Sequence, residues 1–312
     1  MKKQNTSSRK PKVRYGIGEW YGGIFSRLSP EERKKYARIQ TIEKKNRPEI
    51  KCPFRGSVEA GAVCTKEGGV CSLRLYQLDS NSHVVDIAPG KNGTLVTTCP
   101  NRFQQDKTIY EWIGKTLLNT PEPLVVNEIG FLEQEAAGPG GADKASDVGR
   151  IDNVLVHPKR DPFLWCALET QAVYFSGASM RKEFKFLETY SKSSLPFPEG
   201  HRRPDFRSSG PKRLMPQLQI KVPTLRRWGK KMAVVVDRMF FDSLGAMDDV
   251  QQVSNCDIAW FVVRFSENGN QAVLEPDLVR LTTLERAVEG LTGGNPVSLE
   301  TFEQRIRQKL AP

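Results

Sequence analysis

The 312-residue chain is predicted to fold as an α/β (α+β) protein, because strand patterns and helix signals alternate along it. Two apolar runs, from Met232 to Asp237 and from Ile258 to Phe265, are typical of buried strands. Helix-capping signals stand at Ser29 and in the predicted capping box Thr282-Thr283-Leu284-Glu285. Hydrophobic residues make up 38% and charged residues 27% of the chain, which fits a globular protein with a substantial core.

Residues 149–175 hold two short hydrophobic runs joined by a turn-prone segment from His157 to Pro162. Side chains alternate between the faces of a strand, so Glu169 and Gln171 share one face of the second run. A hairpin of the two runs would bring Asp152 beside both of them. Carboxylate and amide oxygens at one strand end suit Mg²⁺. The hypothesis is a metal-dependent phosphodiesterase centre, and the alternative is a charged strand end with Glu169 paired to a basic residue.

Each residue of this triple has a predicted role. Asp152 and Glu169 would bind Mg²⁺ directly, and the metal would support an activated water and a charged transition state. Gln171 stands where many such nucleases carry a lysine, and its amide can orient water or phosphate without supplying charge. Glu128 is a further candidate, with Glu133 and Glu135 behind it, from a helix predicted over residues 128–137. An exposed helix residue is the alternative for all three.

The net charge of +11 is concentrated in two segments. Residues 1–51 carry a net charge of +10 and residues 202–231 one of +9, so the remainder is mildly acidic. Basic segments on an acidic body favour a polyanion partner, first of all nucleic acid, over a solvated tail and loop. Residues 196–215 are predicted to be irregular. The candidate DNA contacts are Arg202, Arg203, Arg207, Lys212, Arg213, Arg226, Arg227, Lys230 and Lys231.

The predicted location is the cytoplasm, without membrane contact. No apolar run approaches the roughly 20 residues of a membrane span, and the basic N-terminus lacks the apolar core of a signal peptide. Residues 1–14 are predicted to be a mobile basic arm. Helices are predicted from Ser29 to about Lys45, over 106–118 with Asp106 as a possible N-cap, over 180–191, and near the C-terminus.

Four of the six cysteines, Cys52, Cys64, Cys71 and Cys99, fall within 48 residues. Disulfides are not expected in the cytoplasm. Four thiolates in tetrahedral geometry suit Zn²⁺ or a single iron, although the spacing lacks paired CxxC motifs. The alternative is four reduced, unlinked thiols, some of them buried as small hydrophobic groups.

The cysteine pattern and the catalytic triple together resemble the NotI-type type II restriction endonucleases. The matching pieces span most of the chain and occur in this order: Gly18-Glu19-Trp20-Tyr21-Gly22, Cys52-Pro53-Phe54, Cys64, Val70-Cys71, Cys99-Pro100-Asn101-Arg102, Asp152 and Glu169-Thr170-Gln171. Later runs around 233–244 and 259–265 are similar to that family as well.

The resemblance implies a divergent PD-(D/E)XK nuclease core, a mixed sheet flanked by helices, preceded by a small metal-binding domain with four cysteine ligands. It implies a homodimer that cleaves palindromic double-stranded DNA with Mg²⁺, and a cognate DNA methyltransferase in the same system. The four cysteines would hold one structural iron, with zinc as the alternative. Asp152 and Glu169 would bind Mg²⁺, with Gln171 in place of the usual lysine; the spacing leaves Asp143 and Asp147 as alternatives to Asp152.

The predicted organisation is a basic arm and helix over residues 1–51, the metal-binding domain over 52–105, and a catalytic and DNA-binding domain over 106–312. The predicted function is Mg²⁺-dependent cleavage of a specific palindrome, with GC-rich sequence suggested by the arginines and the family. A non-catalytic metal-stabilised DNA-binding protein and a nonspecific repair-type nuclease are the alternatives.

Overall fold

A computed structural model describes residues 11–79, 81–134, 146–293 and 297–310, with side chains described for all of these except 133–134 and 146–148. The helices are α1 (Pro30–Thr41), α2 (Thr108–Ile113), α3 (Met180–Thr189), α4 (Phe206–Ser209), α5 (Met215–Arg227), α6 (Arg238–Asp242), α7 (Leu284–Thr292) and α8 (Leu299–Leu310). The strands are β1 (Lys12–Trp20), β2 (Gly23–Ile24), β3 (Val70–Leu78), β4 (Val85–Ile87), β5 (Val96–Thr97), β6 (Leu124–Gln134), β7 (Ser146–Val156), β8 (Trp165–Thr170), β9 (Tyr174–Gly177), β10 (Arg202–Asp205), β11 (Met232–Asp237), β12 (Ile258–Asn268) and β13 (Gln271–Thr282).

One large mixed sheet organises the described part of the chain. Its order is β4-β3-β1-β2-β13-β12-β11-β8-β7-β6, with β5 paired to β3, while β9 and β10 form a separate pair. β11 runs parallel to β8 and β12, and the remaining pairs of the large sheet are antiparallel. The predicted mixed α/β class is confirmed.

Helices cover both faces of the central strands. On one face, Val234 and Val236 of β11 pack in a core with α5, α6 and α7. On the other face, Ala233 and Val235 pack in a core with α2. Because both faces of β11 are buried, its sequence is continuously apolar rather than alternating.

The predicted hairpin of residues 149–175 is confirmed. β7 and β8 pair antiparallel, with Asn153 opposite Leu168 and Val156 opposite Trp165. The alternation along β8 also holds, since Ala167 lies in the core beneath α5 and Leu168 in the core beneath α2. The side chain of Asp147, like all of Asp143, lies outside the described residues.

Several helix signals are also confirmed. Ser29 and Glu32 form the reciprocal capping box of α1, although this helix ends at Thr41 rather than near Lys45. The predicted start of α7 is one residue off, since Thr283 rather than Thr282 is the N-cap and accepts from the N–H of Arg286; the helix ends at Thr292 and is followed, as predicted, by Gly293, in the left-handed conformation that glycine adopts without strain. Asp106 does not cap α2: it has a φ of 52°, and the helix begins at Thr108.

Two predictions of secondary structure are wrong. Residues 206–215, within the stretch predicted to be irregular, are helical, since a π-helical turn over Gly210–Leu214 joins α4 to α5. Residues 128–134 are not helical but belong to β6, which pairs along β7. Glu133 has no described side chain, and Glu135 lies outside the described residues. In the predicted basic arm, β1 begins at Lys12, and residues 1–10 lie outside the described residues.

Candidate active site and cysteine cluster

The hairpin brings the two predicted carboxylates together. Since Asn153 pairs with Leu168, Asp152 and Glu169 occupy adjoining positions where β7 and β8 pair. The side chain of Glu169 is only 3% exposed, whereas that of Asp152 is 51% exposed. One carboxylate therefore belongs to the protein interior and the other reaches solvent.

Both carboxylates line a cavity of about 570 Å³. The hairpin and the segment after it supply most of the wall, and α5 with the turn before it supplies Gln217 and Arg213. The cysteine-rich segment supplies the rest. The full lining is Lys66, Thr98, Pro100, Asp152, Glu169, Thr170, Gln171, Ala172, Val173, Tyr174, Phe175, Arg213 and Gln217.

Lys221 of α5 completes this group, and it is a site residue that the sequence motifs do not include. Its ammonium Nζ lies 2.6 Å from Oε2 of Glu169 and 3.7 Å from Oδ1 of Asp152. It also donates to Oε1 of Gln217 at 2.9 Å. A lysine one turn after a glutamine along α5 presents both side chains on one helix face, here toward the carboxylates. The predicted alternative for Glu169, pairing with a basic residue, is thus realised by Lys221, which contacts both carboxylates but is not itself among the residues that line the cavity.

The electrostatics of the pair follow from burial. Burial raises the pKa of Glu169 to about 7, and the negative charge of Asp152 raises it further, while the ammonium of Lys221 lowers it. A carboxyl in such a position is readily protonated when no other cation is near. A divalent cation would stabilise its charged form.

Gln171 lines the cavity and is buried. Its backbone N–H donates to the carbonyl oxygen of Val235, which fixes the end of β8 against β11, and its side-chain amide donates to the carbonyl oxygen of Ala172. Gln171 therefore lies in the same cavity as Asp152 and Glu169. Its role there stays a prediction.

Glu128 is placed differently. It lies on β6 with a φ of 54°, its side chain is largely exposed, and it pairs with Arg150 at 3.5 Å. It is absent from the residues that line the cavity. The structure therefore does not bring Glu128 to the pair of carboxylates.

A β-bridge and a strand pair bring the four predicted metal-binding cysteines near one another. A β-bridge between Lys51 and Val63 brings Cys52 beside Cys64. The pairing of β3 with β5 brings Cys99 to Cys71, whose carbonyl oxygen accepts a hydrogen bond from the Cys99 N–H at 3.2 Å. All of them are free thiols, and Cys52, Cys64 and Cys71 pack around Phe54.

Burial raises the pKa of the Cys64, Cys71 and Cys99 thiols, and the neighbouring cysteines raise it further. Within the described ranges, no three His, Cys, Asp or Glu side chains have the spacing of a formed metal site. The donor set thus fits iron or zinc chemically, and binding would require the sulfurs to close around the ion.

Residues 35–275 match the family model described as restriction endonuclease NotI. This match covers most of the chain and includes the four cysteines, both carboxylates and Lys221. The chain belongs to the NotI restriction endonuclease family. It is accordingly a site-specific nuclease, and its substrate is DNA. A search of the curated proteins found no match.

In this NotI-family nuclease, the basic residues of 202–231 are the main candidates for contacts with DNA. Arg213 is the one of them that lines the cavity, with its guanidinium stacked 3.7 Å from the ring centre of Tyr174. Lys66 reaches the same cavity from the cysteine-rich segment, and nothing in its local sequence distinguishes it from other surface lysines. Exposed side chains are also found at Arg203, Arg207, Lys212, Arg226 and Arg227.

Other members of the predicted set are already engaged. Arg202 is buried and bonded to Glu183 at 2.7 Å, so it has no surface to offer a phosphate. Arg226 is exposed but pairs with Asp257. Lys230 and Lys231 donate to backbone carbonyl oxygens. None of the helices in the described ranges combines the length and apolar character needed to cross a membrane.

Proposed function

We propose that this NotI-family nuclease is a type II restriction endonuclease that cleaves palindromic DNA with Mg²⁺ bound by Asp152 and Glu169. The observation that carries the proposal is the convergence of these carboxylates in one cavity of a family member. Mg²⁺ is commonly held by one or two carboxylates, with substrate phosphate oxygens and water completing its shell. When bound, the ion would stabilise the charge on the phosphate and favour an attacking water.

The order of the acidic residues supports a divergent PD-(D/E)XK core. Asp152 comes from one strand of a hairpin, Glu169 comes from the next, and Gln171 directly follows the end of that second strand. Gln171 occupies the lysine position of that motif and offers only a neutral amide.

Recognition of the palindrome is assigned to the exposed basic residues around the cavity. Arginine can bond both O6 and N7 of guanine in the major groove, so this arginine-rich surface favours a GC-rich sequence. Such a nuclease also requires a cognate DNA methyltransferase to protect the host's own sites in the cytoplasm. Arg202 is removed from the DNA-contacting set by its buried pair with Glu183.

The carboxylate assignment is tested with Asp152→Ala and Glu169→Ala. Both variants are expected to lose cleavage of plasmid DNA in Mg²⁺, by at least about 100-fold, because the ion loses a ligand. Both should still shift a DNA duplex in a gel, since the basic surface is unchanged. Glu122→Ala, which removes an exposed carboxylate before β6, serves as the matched control. Cleavage by either site variant at the wild-type rate would refute the assignment.

We also propose one iron per chain at Cys52, Cys64, Cys71 and Cys99, and a homodimer. Two apolar surfaces support self-association. One is a groove of about 350 Å³ lined by residues that include Val126, Phe163 and Trp228. The other is the stripe of Leu299, Phe302, Ile306 and Leu310 along α8, a helix with no buried residue.

Native mass spectrometry tests both proposals together. The expected species contains two chains and two iron ions, because each thiol cluster takes one ion and a dimer acts on both strands of a palindrome. Zinc in the same stoichiometry would retain the site and change the ion. A monomer free of metal that melts cooperatively would contradict both proposals.

A further inference from the structure

Lys221 is the one lysine in the described part of the chain that is buried, with 6% of its surface exposed. Burying an ammonium group is unfavourable unless it is paired and hydrogen-bonded. Here Nζ meets a carboxylate at 2.6 Å, a second at 3.7 Å and an amide oxygen at 2.9 Å. Its partners are therefore the side chains of the proposed active site itself.

The charge balance of the site indicates a chemical role for Lys221 in addition to its packing role. Asp152 and Glu169 bring two negative charges, and Gln171, which lines the same cavity just after β8, brings none. Phosphodiester hydrolysis develops further negative charge on the phosphate oxygens and calls for a donor aimed at them. Lys221 supplies a positive charge at this position from a helix, rather than from the strand that carries Glu169.

We propose that Lys221 is a catalytic residue of this nuclease. It supplies the positive charge that the neutral amide of Gln171 does not have. The inference rests on the proposed function. The ammonium orients the attacking water by hydrogen bonding and stabilises the charge that develops on the scissile phosphate. It acts only as a donor of hydrogen bonds.

The step is balanced without any further reactant. A lone pair of the water oxygen forms the new bond to phosphorus, and the water gives a proton to solvent. The bond from phosphorus to the leaving sugar oxygen breaks, and that oxygen takes a proton from solvent. Arg213, on the same cavity, is placed to bind the backbone rather than to join the pair of carboxylates, since its guanidinium stacks on Tyr174.

The competing account is that Lys221 only neutralises Glu169 and holds α5 to β8. Both accounts predict that removal of the charge affects the site. They differ on whether the charge can be supplied from elsewhere. A lysine at position 171, directly after β8, would present an ammonium to the cavity that contains both carboxylates, whereas it would not restore the link from α5 to β8.

The test compares cleavage by Lys221→Gln, by the double variant Gln171→Lys with Lys221→Gln, and by Lys115→Gln, an exposed lysine on the helical segment after α2. Lys221→Gln should cleave about 100-fold or more slowly than wild type while binding duplex DNA equally well. The double variant should cleave at least about tenfold faster than Lys221→Gln alone. Lys115→Gln should match wild type.

The outcomes separate this inference from the proposed function. Wild-type protein that never cleaves would refute the proposed function. Active wild type together with Lys221→Gln within threefold of its rate, about the level of the control, would refute the role of Lys221 alone. A double variant that melts like wild type but remains as slow as Lys221→Gln would assign the lysine to structure. If Lys221→Gln does not melt cooperatively, Lys221→Met, with an apolar side chain of similar length, replaces it in the same comparison.

Discussion

At the scale of single residues, the site is governed by the burial of Glu169 beside one cation and one anion. Its carboxyl has a pKa of about 7, because removal from water penalises the charged form more than Lys221 favours it. Asp152, half exposed on the neighbouring strand, does not share this environment. Two carboxylates at adjoining positions thus differ in solvation, and a divalent cation between them would favour the charged form of the buried one.

The raised pKa of Glu169 predicts how stability depends on pH in buffer without divalent cations. The folded pKa is about 7 and the ordinary value is 4.5, so the folded state holds a proton that the unfolded state has lost between these pH values. The contribution of Glu169 to stability is therefore full below about pH 4.5 and is lost as pH rises through about 7.

Urea unfolding of wild type and Glu169→Gln at several pH values measures this contribution. The stability of wild type relative to Glu169→Gln should fall between about pH 4.5 and pH 7 and stay constant above that. The variant is the control, because it keeps an uncharged side chain of the same size at all pH values. A difference that rises with pH would mean that the folded pKa is lowered, in conflict with the burial of this carboxyl.

At the scale of elements, Asp237 joins three of them with one carboxylate. It ends β11 and caps α6, where Oδ1 accepts from the N–H of Phe240 at 2.8 Å. Its other oxygen, Oδ2, accepts from the N–H of Thr97 in β5 at 2.7 Å. The cysteine-rich segment, which contributes Thr98 and Pro100 to the cavity, is thereby tied to the central strand.

Asp237→Ala is expected to destabilise the protein by about 3 kcal/mol, since two buried N–H groups lose a charged partner. Asp205→Ala provides the matched control, because Asp205 caps the short helix α4 at a partly exposed position. That change should cost about 1 kcal/mol. Urea midpoints of the two variants give the comparison, and equal losses would mean that the buried link to Thr97 contributes nothing.

The sequence predicted those elements whose signals are local. The alternation of residues 163–171 placed Glu169 and Gln171 on one face, and the turn-prone segment from His157 to Pro162 joined the strands of the hairpin. The helix that carries Lys221 was hidden, because Pro211, Pro216 and Pro223 lie within or beside it. Pro211 is the second residue of the π-helical turn, Pro216 is the second residue of α5, and Pro223 lies inside α5; prolines at this density argue against a continuous helix. In the sequence, Lys221 therefore adds one charge to a basic segment and carries no sign of a site.

The strand β6 was mistaken for a helix for a different reason. Residues 128–137 are rich in glutamate and other residues that favour helices, and no local signal contradicts this. Pairing with β7 along its length outweighs that preference, which is a tertiary effect that a single sequence does not display. Glu128 consequently moves from a helix near the site to an exposed pair with Arg150.

At the scale of the whole molecule, the sequence motifs that resemble the family meet in space. Arg102, which follows Cys99 in the chain, is fully buried and bonded to Glu19 of β1 at 3.0 Å. Its guanidinium lies between the rings of Phe54 and Phe265, 4.3 Å and 4.6 Å from their centres. Three separate motifs thus form one contact that joins the cysteine-rich segment to the sheet.

The contact around Arg102 joins the cysteine-rich segment to the sheet, and residues next to the cysteines form part of the proposed nuclease site. Lys66, two residues after Cys64, and Pro100, directly after Cys99, both line the cavity that contains Asp152 and Glu169. Closing the thiols around an ion would fix one wall of this cavity, while the hairpin and α5 fix the other walls. The predicted boundary of a metal-binding domain at residues 52–105 stays a prediction, and the strands of this segment belong to the same sheet as β11.

The most direct test of the central claim is a digest of one sequenced plasmid by the wild-type protein with Mg²⁺, with Glu169→Ala beside it. The predicted result is a set of discrete fragments from wild type, with every end at copies of one palindromic sequence, and intact plasmid from the variant. A smear of fragments without common ends would contradict sequence specificity. Plasmid left intact by wild type, or cut alike by both proteins, would contradict the assignment of the Asp152 and Glu169 cavity as the nuclease site.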